Sequence, residues 1–259
     1  MSLTGTDRKD LSFAKELLEN PSLAMRITSY VGVPIERGFA MLPKSWSPIV
    51  DNATKAALQG ALGAALTTMD EGKHRNSRDG LHRMLATATG AAGGAFGLPA
   101  LAVELPLSTT IMLRSIVDIA ASEGENVREP EAKMACLEVF ALGGRVTGDD
   151  AAESAYFAVR SALGRAVSEA AVHIAQHGFA QKSAPAMVRL ISQIASRFSI
   201  SVGEKAAAQA VPIIGAAGGA AINAIFIDHF QDMARGHFIV RRLERSHGVE
   251  TVRAQYLEL

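Results

Sequence analysis

Residues 206–227 read AAAQAVPIIGAAGGAAINAIFI, a stretch without a single charge, and run on into DHFQDMARGHFIVRRLERSH over residues 228–247. Alanine is the strongest helix former, and Phe230, Met233, Phe238 and Leu243 keep helical spacing through the second part. Gly215 and Gly219 stand four apart, which puts two residues without side chains on one helical face. A helix of this kind lets a second backbone come close, as in small-xxx-small packing.

The same element occurs earlier. GAAGG at residues 215–219 repeats GAAGG at residues 90–94, inside a second uncharged stretch, residues 84–103. There the pairs Gly90/Gly94 and Gly93/Gly97 share faces. Each copy ends on an acid, Glu104 after the first and Asp228 after the second. Glycine inside a helix costs roughly 0.5–1 kcal/mol against alanine, so close packing or another gain must offset it. Three uses fit. The copies form the tight centre of a bundle, together with Gly60 and Gly63. Or they enter a membrane, being close to the roughly 20 residues that span one, although Pro99 and Pro212 interrupt both. Or they leave room between helices for a ligand such as a lipid tail. GAAGGAFG lacks the Gly-Lys-Ser/Thr ending of a phosphate-binding loop.

The remaining chain is punctuated in the same helical manner. Leu11, Ala14, Leu17 and Leu18 mark a helix stopped at Asn20-Pro21; a short piece follows up to Gly32 and Pro34; another carries Phe39 and Leu42 and ends at Pro43. Residues 44–50, with Trp46 between Pro43 and Pro48, read as an ordered loop, and a helix follows from Asp51 to Met69. Pro106 is placed as the first-turn residue of a helix reaching Ser122, and Pro130, beside Glu129 and Glu131, opens one that stops at Gly143-Gly144. Residues 149–178 form one long helix, residues 185–202 another, then the Gly/Ala helix from Ala206, and a short helix closes the chain. No run of alternating β-branched residues occurs. The expectation is an all-α fold, a single multi-helix bundle around Gly/Ala-rich helices, with residues 1–50 as an N-terminal helical extension to residues 51–259.

Lys and Arg total 26, matched by 26 Asp and Glu, so no cationic field favours nucleic acid. One cysteine, Cys136, excludes an intramolecular disulfide framework and suits a reducing compartment. The first 20 residues hold several charges and no apolar run, so no secretory signal is expected there. The expected location is the cytoplasm, with peripheral attachment to the inner membrane.

Three segments together resemble the EcsC family of bacterial proteins: GAAGGAFGLPALAVELP (residues 90–106), LRSIVDIAASEGENVREPEAKMACLEVFALGG (113–144) and FIDHFQDMARGHFIVRRLERSHG (226–248). The resemblance implies an all-helical protein of a family named for a member encoded beside the subunits of an exporter. Some members bear a peptidase label. It brings no catalytic set with it. Glu104 and Asp118, with Arg114 between them, lie where the family pattern is polar.

The residues themselves offer little chemistry. Neither His-Glu-x-x-His nor Gly-x-Ser-x-Gly is present. Cys136 lies in an apolar stripe and reads as a core residue. His173 and His177 face one way on a helix, without a nearby acid in sequence, so no metal site and no cofactor is expected. The densest polar cluster is Asp228, His229 and Asp232, with Arg235 and His237 beyond; Glu104 joins it if the two Gly/Ala helices pair. The basic end, Arg235, Arg241, Arg242 and Arg245 among apolar residues, suits an anionic membrane surface or a solvated face with Glu244. The leading expectation is a non-enzymatic protein that binds lipid or a membrane-protein partner at the cytoplasmic membrane, in work linked to transport or secretion. Gly90, Gly94, Gly97, Arg114, Gly215 and Gly219 form its contact set. Self-association is allowed. The alternative is a peptidase-like hydrolase using Glu104, Asp118, Asp228, His229 and Asp232.

Overall fold

A computed structural model describes residues 3–19, 22–68, 101–143, 154–177, 184–211 and 215–259. Every regular element among them is an α-helix: α1 (Gly5–Glu19), α2 (Leu23–Val31), α3 (Ile35–Met41), α4 (Trp46–Thr68), α5 (Leu101–Ser122), α6 (Pro130–Leu142), α7 (Ala155–His177), α8 (Pro185–Gln209), α9 (Gly215–His247) and α10 (Val249–Glu258). The all-helical expectation holds. The first Gly/Ala copy, with Gly90, Gly94 and Gly97, lies outside the described residues.

Helix α9 organises the rest. Its 33 residues make a rod about 50 Å long, and most of its side chains from Ile222 to Leu243 are buried or half-buried. Side-chain contacts fix the direction of its neighbours. Ser115 meets Gln231 and Glu125 meets Arg241, so α5 runs parallel to α9. Phe140 packs on Phe230 while Glu138 lies near His237, so α6 runs antiparallel. Asp7 reaches His247 and Asp10 reaches Arg242, which sets α1 antiparallel as well. Helices α8 and α9 form a hairpin, joined through residues 210–214, with Phe140, Phe198, Phe226 and Phe230 interlocked in tilted and edge-on pairs. One continuous apolar core includes residues from Leu3 to Tyr256. The first three helices contribute to it: Leu11, Ala14, Leu23, Ile27 and Ile35 are all buried.

Helix α7 begins at Ala155, with Ser154 outside it, later than the expected start at residue 149. Three other boundaries differ from expectation, each for a local reason. Trp46 begins α4 rather than sitting in a loop, because Pro48 falls in the first helical turn, where its missing N–H has no bond to lose. Pro106 lies inside α5, which already extends from Leu101; the helix continues past it at the loss of one backbone hydrogen bond. Helix α8 does not stop near Val202 but runs to Gln209, so residues 206–209 belong to it and the Gly/Ala helix starts at Gly215. Gly203 is not a stop: a Cβ there would lie 3.1 Å from the Trp46 ring, so glycine admits that ring. Ala210 caps the end of α8, its N–H bonded to the carbonyls of Ala206, Ala207 and Ala208.

The closest backbone approach is made by Gly38 of α3, where a Cβ would collide with the backbone carbonyl of Ala207 on α8. Gly60, expected at a helix contact, has nothing within 4 Å of such a Cβ. At Gly248, φ 84 and ψ 147 form a combination that only glycine adopts readily. It turns the chain so that Tyr256 folds back onto Tyr156 and Phe157, with centroids 5.8 and 5.1 Å apart.

Candidate functional site

The five acids and histidines expected to carry chemistry are held by different parts of this scaffold. Glu104, in the first turn of α5, is buried and accepts from Lys205 Nζ of α8 at 2.6 Å; both side chains are shut off from solvent. The same ammonium lies 4.9 Å from the centre of the Phe226 ring. Among the described residues, Glu104 Oε2 and the hydroxyl of buried Thr109 have no hydrogen-bond partner. His229 donates from Nε2 to the carbonyl of Gly143, 3.0 Å away, where Ser201 Oγ also donates at 3.1 Å. These bonds cap the end of α6, whose last carbonyls have no helical partner. Burial pushes the His229 imidazole down to about 4, so it is neutral at ordinary pH. Asp232 pairs with Arg26 of α2 at 2.7 Å. Asp118 and Asp228 are half-buried.

The parallel register sets Glu104 and Asp228 apart. Ser115 opposite Gln231 and Glu125 opposite Arg241 put Asp228 at the level of residue 112 on α5. That is eight residues, or about 12 Å along the axis, beyond Glu104. The two acids end their Gly/Ala segments in sequence, but they do not meet at a common end of the bundle. Gly219 is buried and Arg114 is exposed. His173 and His177 stack on one another, centroids 4.7 Å apart, and among the described residues no group of three or more His, Cys, Asp or Glu could hold a metal ion. Cys136 is wholly buried, as expected of a core residue, and burial pushes its thiol up.

The basic end of α9 is engaged inside the molecule. Arg241 and Arg245 both bind Glu125, and Arg242 binds Asp10 and Glu123. Neither a bare cationic face nor a freely solvated one describes it. These ion pairs tie the turn after α5, together with α1, to the far half of α9.

Two buried groupings escaped the sequence reading. One is Lys205, the partner of Glu104. The other joins three helices: Tyr156 Oη of α7 lies 3.0 Å from His237 Nδ1 of α9, and His237 Nε2 lies 4.0 Å from Glu138 Oε2 of α6. Beside them Arg160 holds Glu244 with two bonds, 2.7 and 3.0 Å. Burial raises Glu138 to about 7, against the pull of Arg160 and Arg241, raises the Tyr156 phenol, and holds His237 well below its ordinary range. Tyrosine and histidine are therefore both neutral, and they share one hydrogen bond between Tyr156 Oη and His237 Nδ1 whose donor follows the histidine tautomer. The signal for Glu138 was a charged residue inside KMACLEVFAL, a helix buried on every side. For Lys205 it was a lone ammonium at the threshold of an uncharged stretch.

These features define a class: an all-helical protein wrapped around one long central helix, with buried charges set between helices. The chain belongs to the EcsC protein family, whose profile matches residues 23–243, from the start of α2 to near the end of α9. No curated protein and no solved structure matches it.

Proposed function

We propose that this chain is a non-enzymatic protein that binds lipid, or a protein partner embedded in lipid, at the cytoplasmic membrane surface, in a role tied to transport or secretion. The observation that carries it is on α5. Val103 and Leu107, one turn apart, leave 79% and 51% of their surface exposed, and Arg114 continues the same stripe with its charge in solvent. Apolar residues followed by a cation suit an interface, with the side chains in the acyl boundary and the guanidinium at phosphate level. This stripe begins directly after the first Gly/Ala copy. Among the described residues no helix is long and apolar enough to cross a membrane, which favours lying on a bilayer over spanning it.

A peptidase-like hydrolase using Glu104, Asp118, Asp228, His229 and Asp232 has less in its favour. Glu104, His229 and Asp232 each serve a separate internal contact, and a buried carboxylate held by a lysine is a poor acid–base pair for a substrate it cannot reach. Flotation with vesicles rich in phosphatidylglycerol tests the proposal. The chain should rise with them, and the double variant Val103→Asp, Leu107→Asp should stay in the dense fraction. A native chain that stays behind with anionic and neutral vesicles alike, and carries no lipid in native mass spectrometry, overturns it.

A further inference from the structure

The Glu138–His237–Tyr156 grouping has no part in lipid binding as proposed above, and it is built as more than inert core. Its three members come from α6, α9 and α7, and all are buried. Among the described residues His237 Nε2 has no hydrogen-bond partner; Glu138 Oε2, at 4.0 Å, lies just beyond reach. Around Glu138 stand Tyr156 and Arg160 from α7 and His237, Arg241 and Glu244 from α9, with Glu125 behind Arg241. Both arginines already have a carboxylate: Arg160 has Glu244, and Arg241 has Glu125. Two guanidinium groups and three carboxyl groups thus share one low-dielectric region, and the protonation of the third carboxyl decides how the cations are divided.

We propose that Glu138, His237 and Tyr156 form a proton-responsive joint: a proton on Glu138 leaves the Arg160–Glu244 and Arg241–Glu125 clamps closed, and its loss draws both guanidinium groups inward and loosens α7 and residues 123–125 from the far half of α9. Only the O–H bond of the Glu138 carboxyl breaks, its electron pair staying on the carboxylate; the proton passes to solvent, and an Nε2–H of His237 swings onto the new carboxylate. Tyr156 holds His237 in the tautomer that makes this possible, and Tyr256, stacked on Tyr156, carries the adjustment to α10. Burial, against the pull of Arg160 and Arg241 and with a smaller push from Glu244, raises Glu138 to within reach of ordinary cellular pH.

Hydrogen exchange on the full chain, between about pH 6 and about pH 8.5 and corrected for intrinsic rates, tests the joint. Protection of residues 155–177 should fall about tenfold relative to residues 35–41 as pH rises. In Glu138→Gln, which copies the protonated acid, that ratio should stay flat. Carboxyl-labelled glutamate in the native chain gives a second readout that needs no variant: one resonance should titrate near neutrality, and the Arg160 side-chain signals should move with it. A parallel loss of protection in native chain and variant overturns the joint, and so does a full set of glutamates titrating in the ordinary carboxylate range.

Discussion

The neighbours of the two halves of α9 both bury charge, and they handle it differently. In the first half, Lys205 and Glu104 meet one to one at 2.6 Å beside Phe226. In the second, Glu138 has no single counter-ion; it shares Arg160 and Arg241 with Glu244 and Glu125 and faces a neutral histidine. A closed pair is rigid in its protonation, because removing either charge strands the other in a dry site. A shared set can shift charge without stranding any. The first half should therefore respond strongly to mutation and the second strongly to pH.

The largest expected effect breaks the closed pair. Lys205→Met leaves Glu104 buried without its cation and should cost about 3–5 kcal/mol in urea unfolding, whereas Lys205→Met with Glu104→Leu should recover most of that. Equal losses in the single and the double variant would mean the pair is not a unit. Next comes pH. Raised from 4.5 to about 7, Glu138 binds more protons folded than unfolded. Its contribution, full below 4.5, is lost as pH climbs through about 7, and amounts to about 3 kcal/mol. His229, lowered from 6.5 to about 4, works oppositely: its contribution is present above 6.5 and fades as pH falls toward 4. His237 adds to the loss on the acid side. Thermal unfolding should show a maximum between these limits, and Glu138→Gln should flatten only the alkaline flank. A Glu138→Gln profile that also flattens the acid flank would assign the wrong groups.

Sequence made the first half partly legible and the second hardly at all. The helical class, the breaks at Pro43, Pro130 and Gly143, and the continuity of residues 215–247 follow from local propensity and spacing, which act within a turn or two. Glu104 stood out because it ends an uncharged stretch. Its partner lies 101 positions away, and Tyr156 and His237 are 81 apart; such pairings are set by helix directions that no local pattern encodes. Asp228, His229 and Asp232 looked like a site because they are neighbours along the chain. On a helix buried on nearly all sides, neighbours point to different helices, so His229 reaches Gly143 while Asp232 reaches Arg26. The glycines taught a related lesson. The repeat drew attention to Gly215 and Gly219, and nothing in it pointed to the close surroundings of Gly38, Gly143, Gly203 and Gly236, which lie outside it.

Those isolated glycines sharpen the contrast between halves at a smaller scale. Gly38 lies in the Lys205 half, against the Ala207 backbone carbonyl, and Gly236 lies next to His237, where a Cβ would meet Leu18 Cγ at 2.7 Å and the Ala14 carbonyl at 3.0 Å. Backbone inside a packed helix pair cannot give way, so Gly38→Ala should lose about 1–3 kcal/mol by separating α3 from α8. At Gly236 the backbone contact, at 3.0 Å, is far looser than the collision at Gly38 and needs a shift of only a few tenths of an ångström. Leu18, half-buried near the end of α1, can change rotamer. Alanine also regains roughly 0.5–1 kcal/mol of helix propensity at either position, so Gly236→Ala should come out within about 1 kcal/mol of the native chain. Urea midpoints of the two variants, compared at equal slope, decide it. If Gly236→Ala proves the more damaging, the far half of α9 is packed as tightly against α1 as the first half is against α3. The looser fit that lets α7 and residues 123–125 move about it would then have to come from the charges alone.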